Sequence, residues 1–179
     1  SRTDGFEKMQ PNALTPIKPN AGFHLCETMH TSHCKITRLA RHLRRLKKSA
    51  QLWSLALDTQ AVESYLHELI SSIDSATHWR FRLQPNRCGV LSHNLHPFVP
   101  DEAVTDRKCL PLSVSPTPVD SADSFLIHKT SRREAYDRAG AEVPDGVSPL
   151  LVNELGHVTE SATANVVYQM GGRLFTPPL

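Results

Sequence analysis

The chain has 179 residues, 39% of them hydrophobic and 21% charged, with a formal net charge of +2. That length supports one ordinary domain or two small ones with real cores, and the near balance of acids and bases means that bulk charge favours no particular partner. No apolar run is long enough to cross a bilayer and no charged-then-apolar leader is recognisable, so the expected setting is cytoplasmic.

Ser1–Asn20 is polar and holds three prolines. It reads as a linker or a cut N-terminus. Residues 21–98 read as an N-terminal α/β lobe. Within it, Phe23–Met29 alternates loosely and suits a strand with one buried face. His30, His33 and Cys34 are close in sequence, but a structural zinc needs four convergent ligands at a defined spacing, and none is recognisable, so no metal is expected. The four cysteines, Cys26, Cys34, Cys88 and Cys109, are widely spaced, form no CxxC and read as reduced thiols.

From Thr37 the pattern becomes helical, with Leu39, Leu43, Leu46, Ala50 and Trp53 on one face. Thr37 is the predicted N-cap, which places Arg38 in the first turn. Seven basic residues (Lys35, Arg38, Arg41, Arg44, Arg45, Lys47, Lys48) fall between Glu27 and Asp58 with no acid among them. A solvated helix face accounts for most of them. Nucleic-acid binding would want stacking aromatics interleaved with the arginines, and the aromatics here do not interleave, so no nucleic acid is expected. Asp58 is predicted to cap a second helix whose stripe is Val62, Tyr65, Leu66, Leu69 and Ile70. Trp79–Leu83 then alternates strictly, residues 85–89 supply a turn, and Val90–Leu95 returns as the partner strand.

Residues 99–123 read as an interdomain connection: between Pro97 and Asp123 there are five prolines and no glycine, with one extended segment around Leu110–Val114. Residues 124–179 read as the start of a C-terminal lobe. Phe125-Leu126-Ile127 is expected to be a short buried strand that opens into a cleft at Lys129. A lysine becomes a nucleophile only when neutral, and apolar burial favours that form. A solvated surface lysine is the bland alternative. Thr130–Ala141 is expected to be a half-exposed helix, Asn153–Gly156 a turn, and Val158–Ser161 a strand. Val166–Tyr168 and Leu174–Phe175 form a predicted hairpin around Gly171-Gly172.

Two stretches, VDSADSFLIHKTSRREAYDRA and NELGHVTESATANVVYQMGGRLFTPPL, together resemble the class IV (fold-type IV) pyridoxal-phosphate enzymes. These include branched-chain and D-amino-acid aminotransferases and 4-amino-4-deoxychorismate lyase. The first stretch is most similar to the lyase branch, in particular to lyase domains that some bacteria fuse behind a chorismate-aminating synthase subunit. Phe23–Met29 and the Arg38 helix resemble the family's "F-x-L-x-E-T-M" strand and "R-L-x-x-H-L-x-R-L" helix. The resemblance implies an α/β (α+β) fold of two lobes, the second incomplete, with roughly a third of the family's length expected beyond Leu179.

It further implies pyridoxal 5'-phosphate as cofactor, with Lys129 as the catalytic lysine, Arg38 on the phosphate and Glu160 on the ring nitrogen. The Glu160 carboxylate would keep that nitrogen protonated and make the ring an electron sink. Tyr136 is a candidate for the cofactor's 3′-oxygen, although its spacing from the lysine departs from the aminotransferase pattern. Arg132 and Arg133 are candidates for a substrate carboxylate, with surface placement the alternative. Glu154 is expected on the surface, and Asn165, in a family "T-x-x-N" stretch, is expected to be structural. The implied activity is release of pyruvate and 4-aminobenzoate from a small-molecule substrate. An amino-acid aminotransferase and a non-catalytic remnant or interaction module are the alternatives. A homodimer and an associated synthase subunit are the implied partners.

Overall fold

The computed structural model describes residues 22–100 and 109–177, which belong to two compact units. The first contains β1 (Glu27–Ser32), β2 (Lys35–Ile36), α1 (Leu39–Leu52), α2 (Thr59–Ser72), β3 (Trp79–Pro85) and β4 (Leu91–Pro97). Its sheet runs β2-β1-β3-β4, and each neighbouring pair is antiparallel. Alternation decides which face is buried: along β3, Phe81, Leu83 and Pro85 point inward while Arg80 and Arg82 stay exposed. The helices cover the inward face. Leu46 and Ala50 of α1 and Val62 and Leu66 of α2 meet Leu25, Met29, Phe81 and Leu83 in one core. Each large side chain so buried contributes about 1.5–3 kcal/mol.

Local chemistry sets the ends of these elements. The Asp58 carboxylate accepts from the Gln60 N–H at 2.8 Å and starts α2, as the sequence predicts. Gly89 turns β3 into β4 with φ +77°, and a Cβ there would lie 2.0 Å from the Ala56 carbonyl oxygen, so only glycine fits. The start of α1 differs from the sequence expectation. Thr37 is not its cap and Arg38 is not in its first turn. The Thr37 N–H donates to the His30 carbonyl at 2.9 Å, and Arg38 is itself the N-cap residue, with left-handed backbone at φ 59°. Since β2 ends at Ile36, the chain has two residues in which to leave the sheet and enter the helix, and Arg38 takes the reversing conformation.

The second unit contains β5 (Leu112–Val114), α3 (Ser124–Ile127), α4 (Glu134–Ala141), β6 (Ser148–Val152), β7 (Val158–Ser161), β8 (Tyr168–Met170) and β9 (Arg173–Phe175). β5 lies parallel to β6, so the chain between them must cross over, and it does so through α3 and α4. β7 returns antiparallel to β6, and β8 and β9 form the expected glycine hairpin. Phe125-Leu126-Ile127 is therefore not a buried strand. The Asp123 side chain accepts from the Phe125 N–H at 2.8 Å and its carbonyl accepts from Leu126 and Ile127, which winds the run into α3 and leaves Ile127 63% exposed. Sequence reading also passed over β6, the middle strand, because Pro149 breaks the run Ser148–Val152. Pro149 lies outside the β7 pairing, which begins at Leu150.

Candidate active site

Lys129 follows His128, which ends α3 in extended backbone, and is itself exposed. The apolar burial expected around it is absent, because the run before it is a short surface helix. Immediately after it, Thr130 is buried, and its hydroxyl accepts from the Arg132 N–H at 3.2 Å, which turns the chain toward α4. The lysine is thus presented at the junction between two helices.

Glu160 lies in an irregular stretch of β7. Leu150 pairs with Ser161 and Val152 with Val158, so two steps along β6 match three along β7 and one extra residue bulges out between Val158 and Ser161. A bulge of this kind re-aims side chains and takes its residue out of the regular ladder. The half-buried Glu160 carboxylate then accepts a hydrogen bond from the Tyr136 hydroxyl, 2.8 Å to Oε1. Burial, and after it the bond to Glu160, push the Tyr136 phenol well above its ordinary value, so it remains a donor. Tyr136 had been expected at a cofactor oxygen; in this chain its hydroxyl is committed to Glu160.

The two arginines before α4 divide. Arg133 turns inward: its guanidinium carbon lies 4.5 Å from the centre of the Tyr136 ring and its Nη2 donates to the Ala162 carbonyl at 2.6 Å. Arg132 stays outside, with its side chain 48% exposed, its guanidinium 4.5 Å from the centre of the Phe125 ring and its Nε on Glu134 at 3.0 Å. Asp123, Phe125, Arg132, Glu134 and Tyr136 line an open hollow of about 130 Å³. Arg132 is therefore the one of the pair able to meet a ligand carboxylate.

In the first unit, Arg38 is exposed at the N-terminus of α1, which has no acid in its first turn and no side-chain cap. Positive charge at the helix end and the uncapped N–H groups there both favour an anion. Sequence reasoning missed a second group, two helical turns along α1. Glu27 on β1 is buried and accepts from Arg45 Nε at 2.6 Å and Nη2 at 2.5 Å and from His42 Nδ1 at 2.7 Å. Burial would raise the Glu27 carboxyl, but these bonds win and hold it below its ordinary value; the same bonds raise Arg45. The Arg45 side chain is 46% exposed while that of Glu27 is 2% exposed, so the guanidinium keeps an open side.

The remaining polar residues have quieter places. Glu154 is on the surface and accepts from the Ser121 N–H at 2.8 Å, Asn165 is exposed, and His30 Nε2 lies 2.9 Å from His78 Nδ1. Among the described residues no three metal-capable side chains converge, and no described helix is long and apolar enough to cross a membrane.

Residues 24–179 match the family model of amino-transferase class IV. The chain belongs to that family, a family of enzymes that work with pyridoxal phosphate, and its mixed fold is fold-type IV. It is similar to a proposed amino-acid aminotransferase of Mesorhizobium loti, with 32% identity and a TM-score of 0.74 over 88% of this chain and 75% of that one. A 4-amino-4-deoxychorismate lyase of Pseudomonas aeruginosa shares the fold at 18% identity and TM-score 0.61, covering 86% of this chain and 62% of that one. An aminotransferase of Brucella abortus bound to PLP shares it at 18% identity and TM-score 0.64, covering 86% and 60%. The chain thus spans about three fifths to three quarters of these proteins. No curated protein matches it.

The chemistry of the donor set fits the family's cofactor. Lys129 offers an exposed primary amine and Glu160 a carboxylate with one oxygen held by Tyr136 and the other open. Arg38, exposed at the start of α1, offers a guanidinium fork suited to phosphate.

Proposed function

We propose that the protein is a 4-amino-4-deoxychorismate lyase, which converts that substrate to pyruvate and 4-aminobenzoate. The observation that carries this reading is the division of the arginine pair: three residues after Lys129, Arg132, its Nε on Glu134, stands half exposed over Phe125 at an open hollow, where its remaining N–H groups can meet a substrate carboxylate. Pyridoxal phosphate, when bound, supplies the electron sink for the reaction.

The chain's own residues do the rest. Glu160 would hold the proton on the cofactor's ring nitrogen, and Arg38 would meet its phosphate. With the cofactor bound, the Lys129 Nζ would take the proton from the substrate carbon that bears the amine. The electron pair of that C–H bond completes the aromatic ring as the C–O bond to the enolpyruvyl group breaks, and a proton delivered to the enolpyruvyl methylene gives pyruvate. Arg132 binds a substrate carboxylate throughout. The same reading carries with it a homodimer in the cytoplasm, associated with or fused to a chorismate-aminating synthase subunit.

Amino-acid transamination is the second reading, favoured by the 32% identity with the Mesorhizobium protein. It would use the same lysine and glutamate and return the proton to the cofactor. Two measurements decide. Pyridoxal phosphate followed by borohydride and peptide mapping is expected to label Lys129, and an unlabelled Lys129 rejects both enzymes. Pyruvate release from aminodeoxychorismate is expected to exceed amino transfer to keto acids; transfer without pyruvate release rejects the lyase.

A further inference from the structure

Tyr136 sits seven residues after Lys129, and its hydroxyl points at a carboxylate rather than into open space. That carboxylate belongs to the irregular part of β7. Because the extra residue of β7 falls between Val158 and Ser161, sheet pairing does not dictate where the Glu160 side chain points. Something else must. Tyr136 is well anchored to do so, since it packs against the Val119, Ala139 and Leu151 core and the Arg133 guanidinium carbon lies over its ring, 4.5 Å from the centre. Arg133 in turn ties the start of α4 to the Ala162 carbonyl, just past the end of β7.

We propose that Arg133 and Tyr136 form a positioning relay that fixes the Glu160 carboxylate, with Tyr136 holding Oε1 so that Oε2 alone faces the ring nitrogen of a bound pyridine cofactor. The proposal rests on the reading of Glu160 as the ring-nitrogen partner. Its physical content is preorganisation. A glutamate carboxylate turns about three side-chain bonds, and a donor fixed to one oxygen removes that freedom before the ligand arrives. Tyr136 and Arg133 act through Glu160 and are not themselves catalytic residues.

The test separates the hydroxyl from the ring that carries it. Tyr136→Phe keeps the core packing and the stack with Arg133 and deletes only the donor. Affinity is measured for pyridoxal phosphate and for its analogue with carbon in place of the ring nitrogen. Tyr136→Phe is expected to weaken pyridoxal phosphate about tenfold, the size of one hydrogen bond to a charged group, and to leave the analogue unchanged. Equal loss for both ligands, or none for either, overturns the relay. Glu160→Gln tells the two ideas apart: if it too fails to distinguish the ligands, the reading of Glu160 falls as well, and if it distinguishes them while Tyr136→Phe does not, only the relay falls. A third measurement needs no cofactor. The chain has three tyrosines, and with ¹³C-labelled tyrosine the Cζ resonance assigned to Tyr136 is expected to move on Glu160→Gln; a resonance that stays in place overturns the relay.

Discussion

In the unit formed by residues 22–100, eight buried apolar side chains make a continuous core, whereas in residues 109–177 only Val119, Ala139 and Leu151 are gathered in this way. The second unit is instead stitched by polar groups. Glu142 accepts from Ser115 at 2.7 Å and from Thr117, Ser148 and Ser161 share a hydrogen bond of 3.0 Å, and buried Asn153 caps two backbone N–H groups. Many of its large apolar side chains, among them Leu112 and Val114 on β5 and Tyr168 and Leu174 on the hairpin, remain exposed. The candidate residues divide the same way. Lys129, Glu160, Tyr136 and Arg132 all belong to the polar unit, where directional bonds can aim side chains, and Arg38 belongs to the apolar one. The first unit also holds one directional cluster, in which Arg45 and His42 bond to buried Glu27.

The largest effect should come from the apolar side. Phe81 is 1% exposed at the centre of the core, so Phe81→Ala is expected to cost about 3–5 kcal/mol, the transfer term plus a cavity. Both tryptophans, Trp53 and Trp79, lie in this unit, so urea unfolding followed by tryptophan fluorescence reads the loss directly; a cost below about 1 kcal/mol would mean that the core is not what holds this unit. Glu27→Gln should cost less, about 2 kcal/mol, because Arg45 is half exposed and recovers water when its partner is neutralised. The pH dependence follows from the lowered Glu27 carboxyl. Its stabilisation is complete above the ordinary value of 4.5 and is lost as pH falls through the lower folded-state value, so acid denaturation should lose part of its steepness in the glutamine variant. An unchanged acid limb would place the acid sensitivity elsewhere.

What the sequence made legible follows the same division. α1, α2, β3 and β4 were readable because a continuous apolar core imposes clean periods of 3.6 and 2 on the residues that face it. In the thin unit, periodicity has less to act on. Phe125-Leu126-Ile127 looks like a strand until the Asp123 cap is counted, and Ser148–Val152 looks broken at Pro149 although it is the middle strand. For the site, residue types and motif order pointed to Lys129, Glu160 and Arg38. The bond between Tyr136 and Glu160 was not readable, because it depends on a bulge that no pattern of residue types announces. Nor was the Glu27 cluster, which joins residues 15 and 18 positions apart through the packing of α1 on β1.

The smallest effect tests the polar unit on its own terms. Asn153 follows the last residue of β6, is 8% exposed, and places its Oδ1 3.1 Å from the Leu155 N–H and 2.8 Å from the His157 N–H. The turn that these bonds close carries the chain into β7 and so toward the bulge at Glu160. Asn153→Ala removes the acceptor without adding bulk, and leaving the two N–H groups to find water at an exposed turn should cost only about 1 kcal/mol. If the second unit is held by such local ties rather than by a shared core, the loss should stay local: hydrogen exchange should quicken at Leu155 and His157 while the amides of β3 keep their protection. Spread of the loss into residues 22–100 would mean that the two units share their stability, and the contrast between an apolar and a polar unit would then describe composition rather than cooperativity. A cost near that of Phe81→Ala would carry the same message from the other direction, since a single turn cap cannot supply so much unless the whole chain unfolds with it.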